Sequence, residues 1–219
     1  DELLRGDTSD PLQPQLAEIS VLIADMEDYT RITARSTLPD AAALTTEFLE
    51  RLTRPILAHR GTLDSYTGDG VLAFWGAPLN TPAHADLALQ AALEILDEVS
   101  RFNAERRANG VFPVRVRIGI ATGVALVGEL GTRFRSSYTA IGDVVNTASR
   151  LQQAARNAQY DIVVSSDTAQ AVRQHSLVSI GKPNLPGLPS REAFTPIMRP
   201  PAPPPSQAAA ATDPSAATA

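Results

Sequence analysis

Cysteine is absent from the 219-residue chain. That excludes disulfides and zinc–thiolate centres and fits a reducing compartment. No apolar run approaches the roughly 20 residues that cross a bilayer, and no signal peptide opens the chain. A Gly-x-Ser-x-Gly elbow is also missing, so the sequence offers no ready protein nucleophile. Positive charge is not in excess: the formal net charge is −5, which argues against a nucleic-acid partner, since such proteins present a basic face. The chain begins at Asp1 without an initiator Met and reads as a piece of a longer protein.

What is present is an ordinary globular balance, 43% hydrophobic and 20% charged, over a length that supports one domain with a sizeable core. Residues 1–17 are polar, contain Pro11 and Pro14, and read as a linker. Residues 199–219 are mostly Pro, Ala, Ser and Thr, too poor in apolar surface to offset their ordering entropy, which predicts a disordered tail. The folded domain is then 18–198. Its apolar periods alternate between strand and helix. Ile19–Ala24 reads as a buried strand. Leu44, Phe48, Leu52 and Ile56 recur at helical spacing over 40–58, disturbed at Pro55. Residues 62–67 and 71–75 form a hairpin around Gly68-Asp69-Gly70, and 83–108 is a long helix. Strands follow at 114–122, 124–128 and 137–141, then a helix from Asp143 to about 157 with Asp143 as its cap. A strand at 162–165, a short helix at 167–173 and a closing pair at 175–180 and 192–197 complete an α+β pattern, one mixed sheet with helices packed on it.

Two carboxylates stand where strands end: Asp25 after the first strand and Asp69 at the hairpin tip. If those strands pair, the carboxylates face each other, an arrangement that suits hard divalent cations and phosphoryl transfer. Taken alone, the two residues read more readily as a helix cap and a turn.

Four segments change that weighting. Residues 23–30 (IADMEDYT), 66–78 (YTGDGVLAFWGAP), 116–123 (VRIGIATG) and 138–151 (YTAIGDVVNTASRL) together resemble the class III adenylate and guanylate cyclases, in order, over about 19–197. The resemblance implies a ferredoxin-like palm core with a mainly antiparallel sheet. It implies conversion of a purine nucleoside triphosphate to the 3′,5′-cyclic monophosphate and pyrophosphate, in cyclic-nucleotide signalling. Asp25 and Asp69 look like ligands for two Mg²⁺ or Mn²⁺ ions. Tyr29 and Thr30 lie where the triphosphate would meet a helix N-terminus, and Arg117 looks like the arginine that neutralises the outer phosphates, its alternative being a solvated strand residue. Asn146 and Arg150, four apart on one helical face, resemble the pair that positions the ribose and stabilises charge at phosphorus. Ser65 and Thr139 occupy the base-reading positions. Such sites form between two catalytic domains. A chain carrying both residue sets should pair head-to-tail as a two-fold homodimer with two equivalent sites. The resemblance further implies a cytoplasmic domain, with any membrane contact made through an upstream region.

The pattern also has departures. The lysine usual in adenylate cyclases is Ser65 here, whereas Thr139 fits one adenylate subtype. A hydroxyl donates or accepts, so ATP is favoured while GTP stays open. Asp28 stands where the family commonly has Gly, and the late triphosphate lysine has no obvious counterpart near 188–192, where Arg191 is a substitute. A catalytically silent cyclase-like domain is the competing class, disfavoured because Asp25, Asp69, Asn146 and Arg150 are all present. A diguanylate cyclase is set aside because its Gly-Gly-Asp/Glu-Glu-Phe hairpin is missing. His59, His84 and His175 read as ordinary surface or helix residues, and Trp75 as core.

Overall fold

The structure is a computed structural model that describes residues 12–197 apart from Arg133, Gln159, Pro186 and 188–190. The expected tail over 199–219 and residues 1–11 of the expected linker lie outside the described residues. The elements, in order, are β1 (Gln15–Met26), α1 (Tyr29–Thr33), α2 (Leu38–Ala58), β2 (Thr62–Tyr66), β3 (Val71–Trp75), α3 (His84–Ala108) and β4 (Val116–Thr132). There follow β5 (Arg135–Ile141), α4 (Asp143–Ala158), β6 (Ile162–Ser165), α5 (Ser166–Ala171), β7 (Leu177–Gly181) and β8 (Ala193–Pro196). The strand order is β2-β3-β1-β4-β6-β8-β7, with β5 paired to β4. Among the described residues only β4 and β6 run parallel, so the sheet is mainly antiparallel, as expected.

Side-chain alternation divides the core between the two faces of the sheet. Leu22, Ala24, Val71, Ala73, Ile118 and Ile120 face α2 and α3, where Phe48, Leu52, Ile56, Leu89 and Ile95 meet them. Ile19, Val21, Phe74, Ala121 and Ala125 face α4, against Ala148, Leu151 and Ala155. Trp75 is core, and its indole N–H donates to the His59 carbonyl at 2.9 Å.

Three expectations need correction. The first strand starts at Gln15, inside the expected linker, because residues 15–17 already pair with Val127, Leu126 and Ala125 of β4. The two strands expected at 114–122 and 124–128 are one, since Gly123 keeps its place in the ladder opposite Ile19. Helix α2 runs through Pro55 to Ala58. The histidines also divide. His59 bonds Glu94 at 2.8 Å near the surface. His84, however, meets Ser20 Oγ at 2.9 Å and so joins a buried chain of hydroxyls through Thr122 and Thr168 to Ser165. Burial lowers its pKa, with the Glu18 charge opposing.

Helix α4 sits unusually close to the sheet. A Cβ on Gly119 would come within 2.2 Å of the Ala148 carbonyl oxygen and 2.3 Å of the Gln152 nitrogen. Backbone meets backbone here, and neither partner is a flexible side-chain end. Gly119→Ala should therefore lift α4 and cost about 1–3 kcal/mol, as overpacking generally does. Urea denaturation reads this directly, and an unchanged midpoint contradicts the close approach.

Candidate active site

The register of β1 and β3 assembles the first half of the site. Ala24 pairs with Val71, so Asp25, one residue on, and Asp69, two residues before Val71, leave the ladder at the same end of the sheet. Gly68 supplies φ +76 at the hairpin tip. Gly70 is required for a different reason: a Cβ there would meet the Ala24 carbonyl at 2.7 Å and the Asp25 carboxylate at 3.0 Å.

The two carboxyls lie close enough to act on each other, and Asp69 Oδ2 is buried with no partner among the described residues. Burial and then the neighbouring Asp69 push Asp25 up from 3.8 to about 7; the Met26 backbone and Arg156 act the other way. Two like charges this close cannot both ionise cheaply without a cation. The pair therefore fits divalent metal, and its unsatisfied oxygen points to the same conclusion. No group of three or more His, Cys, Asp or Glu side chains gathers into a metal site among the described residues. Two carboxylates completed by phosphate oxygens and water is the usual way of holding Mg²⁺.

A cavity of about 490 Å³ opens over this pair, lined by Asp25, Asp28, Tyr29, Thr30, Asp69 and Arg156 among others. Tyr29 and Thr30 open the short helix α1; Tyr29 donates to or accepts from Thr45 at 2.9 Å, and Thr30 is exposed. Asp28 precedes them in the left-handed region, φ 60, a conformation Asp tolerates better than most residues. Its carboxylate accepts from Arg156 at 2.5 Å, and Arg31 lies 3.9 Å away. The sequence marked Asp28 as a departure, but nothing in it pointed to Arg156, which lies 128 residues on.

Arg117 does not line this cavity. It pairs across the ladder with Asp25, yet it is only 1% exposed and its guanidinium bonds Glu27 at 2.8 Å, Asp161 at 2.5 Å and the Tyr160 carbonyl at 2.8 Å. It is neither a solvated arginine nor a free cation, because two carboxylates already neutralise it behind the cavity wall.

Asn146 and Arg150 are not brought to the aspartates. Asn146 is exposed, and Arg150 bonds only Gln153, at 3.1 Å, among the described residues. Arg156, on the same helix, does reach the cavity. Six residues are about 600° of helix, so Arg150 projects about 120° away from Arg156 and about 9 Å up the axis. The chain thus presents Asn146 and Arg150 away from the cavity over Asp25 and Asp69.

Of the two expected base-reading residues, Ser65 stands in β2 and Thr139 in β5. Ser65 is exposed and makes no hydrogen bond among the described residues. The β2–β3 register shifts between Leu63 and Ser65, so Asp64 is the extra residue of a bulge, and bulges re-aim side chains. Asp64 Oδ2 accepts from the Thr139 hydroxyl and, at 3.3 Å, from the Ala140 N–H. Arg191 pairs with Asp167 at 3.5 Å and lines a separate cavity with Asp143 and Thr147.

The adenylate and guanylate cyclase catalytic-domain model matches residues 12–195. Adenylate cyclase 1 of Rhizobium meliloti is 37% identical over 135 residues, 62% of this chain and 20% of that protein. The chain thus spans about a fifth of that relative's length. Among solved structures, the adenylyl cyclase CyaB from P. aeruginosa superposes with a TM-score of 0.79 at 24% identity, covering 87% of this chain and 98% of that one. The guanylate cyclase domain of RhGC from Catenaria anguillulae, in complex with GTP, gives 0.73 at 22% identity, covering 85% and 100%.

The raised pKa of Asp25 makes a prediction for the metal-free chain. The native state keeps a proton that the unfolded chain loses near pH 4. The associated stability is full below that point and is lost as pH rises through about 7. Asp25→Asn should then melt higher than the unsubstituted chain at pH 8 in EDTA, with the gap closing toward pH 4. A gap independent of pH contradicts the half-buried pair.

Proposed function

Because the chain belongs to the adenylate and guanylate cyclase catalytic-domain family, we propose that it closes a purine nucleoside triphosphate, with ATP favoured, into its 3′,5′-cyclic monophosphate and pyrophosphate, and that two copies build each site. The carrying observation is the half-buried Asp25–Asp69 pair with a buried, unsatisfied Asp69 oxygen, in a cavity that the same chain's Asn146 and Arg150 do not line. A second copy, related by a two-fold axis, supplies the missing half to each cavity.

Asp25 and Asp69 would hold two Mg²⁺ or Mn²⁺ ions. When bound, these ions lower the pKa of the ribose 3′-hydroxyl and neutralise the triphosphate. The chain's own residues hold and orient. The opening of α1 at Tyr29 and Thr30 faces the phosphates. Asn146 of one protomer positions the ribose so that the 3′-oxygen approaches the α-phosphorus in line with the departing pyrophosphate. Arg150 offers fixed positive charge where the phosphoryl oxygens gain negative charge, and pre-placed charge of this kind is often the largest catalytic term. The bond from the 3′-oxygen to phosphorus forms, the bond to pyrophosphate breaks and the hydroxyl proton is released; no protein nucleophile takes part.

The Asp64–Thr139 bond supports ATP. Thr139 gives its only proton to an acceptor-only carboxylate, so its remaining lone pairs face outward. The 6-amino group of adenine is a donor and matches them, whereas guanine offers the O6 acceptor there. A shared signalling role and a cytoplasmic location accord with this reading.

Incubation with ATP, GTP, CTP and UTP and Mg²⁺ or Mn²⁺ should yield a cyclic purine nucleotide, identified by mass. Asp25→Asn and Asp69→Asn should each lose more than about tenfold in turnover, at least about 1.4 kcal/mol in the barrier. Retention of activity by either variant overturns the metal assignment. For the base, kcat/KM should favour ATP, and Asp64→Ala, which frees the Thr139 hydroxyl to donate, should narrow the ATP:GTP ratio by about three- to tenfold. A wild-type preference for GTP, or a ratio that Asp64→Ala leaves unmoved, contradicts the assignment.

A further inference from the structure

We infer that Arg156 is a polyphosphate-binding residue of the cavity over Asp25 and Asp69, and that Asp28 masks it until nucleotide arrives. This rests on the cyclase reading for the identity of the natural ligand, but the residues argue for an anion on their own. The cavity carries three carboxylates, Asp25, Asp28 and Asp69, and two guanidinium groups, Arg31 and Arg156. Arg31 is largely exposed and 3.9 Å from its nearest carboxylate. Arg117, the buried cation behind the wall, is already held by Glu27 and Asp161. Arg156, itself half-exposed and held by Asp28, is the guanidinium on the cavity whose charge acts on the Asp25 carboxyl.

Its single recorded bond runs from one terminal nitrogen to Asp28 Oδ1. The other guanidinium N–H groups make no hydrogen bond among the described residues. A half-used planar fork suits a phosphate, which takes two parallel N–H bonds and carries more charge than a carboxylate. Asp28 is placed to hold that fork meanwhile. It lies on the β1–α1 turn at φ 60, and its partner comes from the last turns of α4, so the pair spans the cavity mouth. Arrival of a polyphosphate exchanges one anion for another at Arg156 and releases Asp28.

Opposite effects of the two partners separate this from a purely structural ion pair. If the pair only ties α4 to the turn, Asp28→Gly and Arg156→Ala break the same bond and act alike. If Arg156 binds polyphosphate and Asp28 competes, they act in opposite directions. Glycine is at ease at positive φ, so Asp28→Gly keeps the turn. The probe is inorganic tripolyphosphate with Ca²⁺, titrated calorimetrically into the full chain, which reads binding without turnover. Asp28→Gly should bind about two- to fivefold tighter, the worth of one exposed ion pair removed as competitor. Arg156→Ala should bind about tenfold weaker, and Arg156→Lys, which keeps the charge without the fork, should fall between. Weakening by both partners, or no change in either Arg156 variant, overturns the proposal. Because no product is formed in this measurement, a failed cyclase assay and a failed Arg156 assignment are told apart.

Discussion

Two half-buried carboxylates brought together at one end of the sheet are the constraint around which this site is arranged. The antiparallel ladder of β1 and β3 delivers Asp25 and Asp69 to the same end of the sheet, and partial burial weakens the screening between them. Without a cation, burial first and then the neighbouring Asp69 push Asp25 up to about 7. With divalent metal the same repulsion becomes affinity, since proton and metal compete for the same oxygens. The glycines at the tip serve this arrangement: Gly68 turns the chain, and Gly70 leaves room beside the Asp25 carboxylate.

Helix α4 carries the other half of the argument. It lies against β4 because Gly119 presents no side chain to Ala148 and Gln152, and this close seat fixes where each of its faces points. Arg156 reaches its own chain's cavity. Asn146 and Arg150 project elsewhere and have no partner there beyond Gln153 among the described residues. In the proposed two-fold assembly α4 would serve two cavities at once, because each copy would both receive and donate.

Much of this was legible in the sequence, for reasons that can be named. The Ile19–Ala24 run, the Gly-Asp-Gly tip and the periodicity of 40–58 and 83–108 are local signals, and the elements follow them. What depended on long-range packing was not legible. The pairing of Thr139 with Asp64 and not Ser65 follows from a one-residue bulge that no local pattern announces. Arg117 alternates with apolar residues as a half-buried strand does, but Glu27 and Asp161 converge on it from distant positions and allow full burial. Arg156 and His84 gained their partners the same way, from chain segments 128 and 64 residues away. The start of β1 was missed because Gln15, Leu16 and Ala17 directly follow Pro11 and Pro14 and are held by strand pairing, which side-chain hydropathy does not report.

The most direct test of the shared site mixes two inactive proteins. Asp25→Asn lacks the metal half and Arg150→Ala lacks the charge-stabilising half, so each should be inactive alone. Subunit exchange creates mixed dimers in which one cavity has both intact halves and the other has both lesions. The account predicts that activity returns on mixing, rising with the mixed-dimer fraction. Continued inactivity, under conditions where labelled subunits demonstrably exchange, contradicts a site built from two chains.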